Sequence, residues 1–179
     1  MSISLKTMTQ IIGGASKKKV FRKFEKKLSK IVIDFTLDEK EFNNFLNVYD
    51  ILKNINISIP KLYEVHCKKK LIVIEDFGDL TFDKIFNRKD PYNLLKLAVD
   101  NLIIIQNSLF SDYLEKLEKY TYSDLKNELG EFVNYYIPYK KISNFHAEEF
   151  YLCWENIYKI QNFDFTSFAH KDFEFINLI

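Results

Sequence analysis

The apolar residues of this chain change their dominant spacing abruptly near Asp76, from strands broken by one helix to helices alone. Up to Glu75 they come in short runs rich in Val, Ile and Phe, the habit of strands. After Asp79 they recur at three- and four-residue intervals, the habit of one helix face. A chain written this way builds its sheet first and its helices afterwards, which is an α+β fold in two parts.

The first part predicts five strands, at residues 9–12, 20–24, 29–35, 61–66 and 71–75. Gly13-Gly14-Ala15-Ser16 connects the first two, so they read as a hairpin. Asp38 is placed to cap one helix whose apolar face is Phe42, Phe45, Leu46, Tyr49 and Leu52, and Ile59-Pro60 ends it. In the second part a short helix over 82–86 precedes a longer one opened by Pro91. Two further amphipathic helices are expected at about 122–136 and 143–160. The division falls between 1–78 and 79–179, with Asp76 to Asp79 as the hinge.

Composition excludes several classes of protein. With 47% hydrophobic and 16% aromatic residues the chain is not disordered, and a net charge of +1 advertises neither nucleic acid nor an anionic membrane as partner. No run approaches the ~18 apolar residues of a membrane span, and the first residues lack a signal-peptide core, so a cytoplasmic protein is expected. Cys67 and Cys153 lack metal-binding spacing and read as free thiols. His66 and His146 are isolated from other ligands, and Tyr151, Trp154 and Tyr158 read as a packing stripe rather than a sugar-stacking platform.

The residues with chemistry stand at the end of the chain: Ala169-His170-Lys171-Asp172-Phe173-Glu174-Phe175-Ile176-Asn177-Leu178. This His-x-Asp-x-x-x-x-Asn spacing is that of a phosphoryl-transfer loop, where the Asp accepts the proton of the attacking hydroxyl and the Asn holds magnesium. Asp172 and Asn177 take those positions, and in such a loop His170 would anchor the backbone and orient Asp172.

Taken with Gly13-Gly14-Ala15-Ser16, Phe21-Arg22, Ile31 to Phe35 and the stretch Leu71 to Thr81, this motif makes the chain resemble the aminoglycoside phosphotransferase-like kinases. Within them it is most similar to the bacterial branch of anomeric kinases acting on N-acetylmuramate and N-acetylglucosamine. The resemblance implies a protein-kinase-like bilobal fold: a five-stranded antiparallel sheet with one helix, then a mostly helical lobe, here incomplete. It implies ATP or GTP with Mg²⁺ between the lobes, and a small-molecule hydroxyl acceptor, a sugar or amino sugar. Gly13, Gly14 and Ser16 would approach the phosphates, although the same residues suit an ordinary hairpin turn. Backbone groups of Glu75, Asp76 and Phe77 would meet the adenine, although a strand end and a turn need no ligand.

Two departures accompany the resemblance. The third strand carries no lysine in the usual phosphate-pairing slot; Lys19, Arg22 or Lys30 is left to supply the charge, with Glu41 as the helix carboxylate. The second metal-binding Asp expected downstream of Asn177 is also missing, because Asp76-Phe77-Gly78 precedes the loop. The expectation is therefore a kinase fragment, or alternatively a non-catalytic nucleotide-binding or scaffolding remnant.

Overall fold

Alternation along the strand segments pairs them into one antiparallel sheet. In the computed structural model, which describes residues 8–11, 17–25, 28–86, 90–108, 115, 117–161, 168–170 and 172–179, the strands are β1 (Thr9–Ile11), β2 (Lys19–Glu25), β3 (Leu28–Asp34), β4 (Leu62–His66) and β5 (Leu71–Glu75). Their order across the sheet is β1-β2-β3-β5-β4. The central strands β3 and β5 pair from Lys30 opposite Glu75 to Asp34 opposite Leu71. Since successive side chains point to opposite faces, Ile33 and Ile72 join one apolar cluster while Val32 and Val73 join another. Burial on both faces explains why these two strands are nearly unbroken apolar runs.

Helix α1 (Glu39–Leu52) covers the Ile33 face. The Asp38 carboxylate accepts the Glu41 amide at 3.0 Å, and Glu39 and Glu41 in the first turn suit the positive end of the helix dipole. Phe42 meets Phe35 edge-on at 5.9 Å between ring centres, with Phe45 at 5.7 Å on the same ring. The Tyr49 hydroxyl accepts the Leu62 amide at 2.9 Å, which ties α1 to the start of β4. Between β4 and β5 the chain makes a 3₁₀ turn, Cys67–Lys69, and Lys70 takes a left-handed φ of 51°. Its ammonium lies 4.9 Å from the centre of the Phe42 ring and 2.6 Å from Glu39, contacts that offset a cost of about 1–2 kcal/mol for that backbone.

After the change of spacing the described elements are all helical. Helix α2 (Phe82–Ile85) and α3 (Pro91–Ser108) follow the sheet, with proline at the first position of α3, where its missing N–H is harmless. The last described segment closes on α2. The Phe82 amide donates to the Leu178 carbonyl at 2.8 Å, and the Phe175 ring lies 6.3 Å from Phe82 and 5.2 Å from Phe86.

The chain divides into two compact units, 1–117 with 168–179, and 118–167. The sequence border at 78/79 marks the change from strand to helix, whereas these units are drawn by packing. Unit 118–167 contains α4 (Tyr122–Glu131), a π-helical stretch (Phe132–Tyr136), the short α5 (Ile137–Tyr139) and α6 (Ala147–Gln161). A reciprocal capping box between Thr121 and Asp124 starts α4. The uniform helix expected over 122–136 widens at Phe132 instead. Pro138 accounts for it: a proline ring crowds the carbonyl four residues earlier, and the wider π turn gives that carbonyl room.

Candidate functional site

The terminal segment is shaped by its own short-range bonds. Phe175–Asn177 forms a 3₁₀ turn in which the Asn177 amide donates to the Glu174 carbonyl at 2.9 Å. That turn swings the Asn177 side chain back, and Nδ2 donates to the Asp172 carbonyl at 3.0 Å. The spacing of five residues is thus converted into direct contact. Because the amide nitrogen serves the loop, Oδ1 is the atom Asn177 offers to a cation. Asp172 keeps its carboxylate exposed. His170 stands edge-on to Phe173 at 5.4 Å. Burial lowers the pKa of His170 below the ordinary 6.5, against the opposing charge of Asp172.

Beside this segment lies a cleft of about 490 Å³. Its walls are Phe77 and Phe82, the 57–60 loop after α1, Ala98 and Ile105 of α3, and His170, Phe173 and Asn177. The structure therefore gathers Phe77, His170 and Asn177 around one space. Asp172 and Glu41 are not among its lining residues.

The remaining candidates are bonded at the end of the sheet. Arg22 on β2 holds Asp76 through Nε at 2.6 Å and Nη2 at 3.0 Å, and Asp79 through both terminal nitrogens at 2.9 Å. Burial of the Asp76 side chain raises its pKa, but hydrogen bonds from Arg22, Ser29 and the Gly78 amide outweigh this and leave it below the usual carboxylate value. The Glu75 amide donates to the Lys61 carbonyl at 2.8 Å, and its carboxylate accepts the Lys61 amide at 3.1 Å. Glu75 thereby completes the β4–β5 edge rather than presenting its N–H to a ligand. Gly13, Gly14 and Ser16 lie outside the described residues.

Glu41 has a basic partner that the sequence did not single out. Lys18, just before β2, reaches it at 3.0 Å. Lys30 pairs with Glu25 at 3.0 Å and lies over the Tyr63 ring, and Lys19 stands opposite Asp34 in the ladder. The available signal was the lysine run at 17–19, but such runs usually mark solvated turns and cannot say which member faces a helix.

Among the described residues no group of three or more His, Cys, Asp or Glu side chains converges as a metal cage. Magnesium commonly takes one or two protein oxygens and completes its shell with water and substrate phosphates. No described helix is long and apolar enough to cross a membrane. No protein-family model and no curated protein matches the chain.

Proposed function

We propose that the chain is part of an ATP-dependent small-molecule kinase of the aminoglycoside phosphotransferase-like type, with a protein-kinase-like bilobal fold. It transfers the terminal phosphoryl group of ATP, or of GTP, to a hydroxyl of a sugar or amino sugar in the cytoplasm. The observation that carries this reading is the bond from Asn177 Nδ2 to the Asp172 carbonyl, in a turn that α2 connects to a five-stranded sheet. The order of strands and helix, β1-β2-β3-α1-β4-β5, agrees with the order the resemblance implies.

In this reading the exposed Asp172 carboxylate accepts the proton of the acceptor hydroxyl, a contribution of roughly 10²–10⁴ in rate. His170 borders the cleft and supports the loop from the side of Phe173. Asn177 presents Oδ1 while its nitrogen keeps the Asp172 backbone in place. Magnesium, when bound with the nucleotide, supplies charge neutralisation at the phosphates. Lys18, held by Glu41, provides positive charge on the side of the sheet from which β1 and β2 are joined.

The test is ATP consumption against a panel of sugars, amino sugars, choline and aminoglycosides, alongside fluorescent-nucleotide binding with and without Mg²⁺. Asp172→Asn should retain nucleotide binding and lose about 10²–10⁴ in turnover. Asn177→Ala should weaken the magnesium dependence of binding. Unchanged turnover in Asp172→Asn overturns the catalytic assignment, and magnesium-dependent binding with no turnover on any acceptor favours the non-catalytic alternative. Turnover confined to choline or an aminoglycoside would keep the kinase and replace the acceptor.

A further inference from the structure

Arg22 is bonded to a stretch of chain 54 residues away that has already left the sheet. The register explains how they meet. Arg22 stands opposite Ile31 on β3, and Ile31 opposite Ile74 on β5, so the three form one row across the sheet. Asp76 is two residues beyond Ile74 and projects to the same face. The guanidinium then hydrogen-bonds one carboxylate oxygen of Asp76, with Nε at ion-pair distance, 2.6 Å, from the other, both oxygens of Asp79, and the Gly78 carbonyl at 3.3 Å.

The turn it grips depends on few other groups. The Asp76 carboxylate accepts the Gly78 amide at 2.9 Å, Gly78 has a φ of +90° that favours glycine, and Lys84 donates to the Asp79 carbonyl at 2.9 Å. Phe77, Gly78, Asp79 and Leu80 are all exposed, so apolar burial holds this connection only weakly. By contrast the side chains of Arg22 and Asp76 are only 16% and 3% exposed, conditions in which losing one partner strands the other charge. Directly after the connection, the Phe82 amide and the Phe82 and Phe86 rings receive the terminal segment.

We propose that Arg22 is a clamp on the β5–α2 connection, and that through α2 it fixes the segment bearing Asp172 and Asn177 against the sheet, so that connection and segment loosen together when the clamp is released. The proposal does not depend on the kinase reading, because its observable is local opening rather than catalysis. Bidentate, planar recognition of two carboxylates is a guanidinium property, and lysine would hold one of them at most.

Hydrogen–deuterium exchange of the whole chain tests this. In Arg22→Met, amides from Phe77 to Phe86 and at Asn177 and Leu178 should exchange about tenfold faster or more, the size expected for losing charge-assisted hydrogen bonds. Amides of Val32, Ile33, Ile72 and Val73 should keep their wild-type rates. Arg22→Lys should lie between. If Arg22→Met fails to fold, Asp79→Asn, which leaves the Asp76 pair intact, should give a smaller rise confined to the same two stretches. Unchanged exchange there, a rise in only one of them, or an equal rise through the central strands overturns the clamp.

Discussion

The sheet with α1 and the helical unit 118–167 are both rich in apolar side chains, yet they bury them differently. In the sheet, Val32 and Ile72 are fully enclosed and Phe35 and Phe42 are 1% and 2% exposed. In 118–167, among the described residues, Ile137 alone counts as buried, at 9%, while Tyr139 and Ile160 are each 78% exposed. The helical unit is held by rings touching in sequence: Phe132 on Tyr136 at 5.0 Å, Phe132 on Phe150 at 5.4 Å, and Tyr122 on Tyr158 at 4.9 Å. Ring pairs of this kind add about 0.5–1.5 kcal/mol beyond the area they cover, whereas an enclosed side chain carries its full transfer and packing energy. Aromatic content alone is therefore a poor guide to where stability resides.

That contrast is most directly broken by truncating one ring on each side. Phe42→Ala should cost about 3–5 kcal/mol in chemical denaturation, because it empties a closed site beside Phe35. Phe150→Ala, at a half-buried ring, should cost roughly 1–2 kcal/mol. Equal losses would show that the helical unit has a core as tight as the sheet's.

Acid should separate the regions next. Asp76 and Asp79 both have folded pKa values below the ordinary 3.8, Asp79 chiefly through its hydrogen bond from Arg22. A depressed carboxylate stabilises the fold fully above its unfolded pKa, and that stabilisation is lost as pH falls through the folded value. Apart from each other, with Asp76 raising the pKa of Asp79, these carboxylates face Arg22, Lys84 and Ser29, none of which titrates in this range. Protection of residues 77–86, taken relative to the intrinsic exchange rate at each pH, should thus be constant above about pH 5 and fall below about pH 4. In Arg22→Met the acid response of that stretch should be much reduced. An acid response of equal size in the variant would detach it from the clamp.

The smallest effect compares caps. Asp38→Ala removes the carboxylate that receives the Glu41 amide, and Thr121→Ala breaks the box at the start of α4. Each should cost about 1 kcal/mol by denaturation or local exchange. A larger penalty at Thr121 would sharpen the contrast, showing that a helix with little burial relies more on its ends.

Much of the local structure is legible in the sequence. The strand over Leu71–Glu75, the cap at Asp38 and the proline opening α3 follow from side-chain chemistry acting within a few residues. The bond between Asn177 and the Asp172 carbonyl is local too, made by a short turn, but the motif did not predict it. The π stretch at Phe132–Tyr136 was obscured because apolar spacing registers a helix but not its width; Pro138 was its only local sign.

What sequence by itself determined is the change of period at the end of β5, and with it a sheet followed by helices. Only tertiary structure decided which charges meet. Arg22 finds Asp76 because two strand pairings add their registers, and Lys18 finds Glu41 because α1 lies across the sheet near the start of β2. Spacing encodes which face a residue occupies, since that depends on its neighbours in the chain. Ion-pair partners depend on the register and placement of whole elements, which no run of residues carries alone.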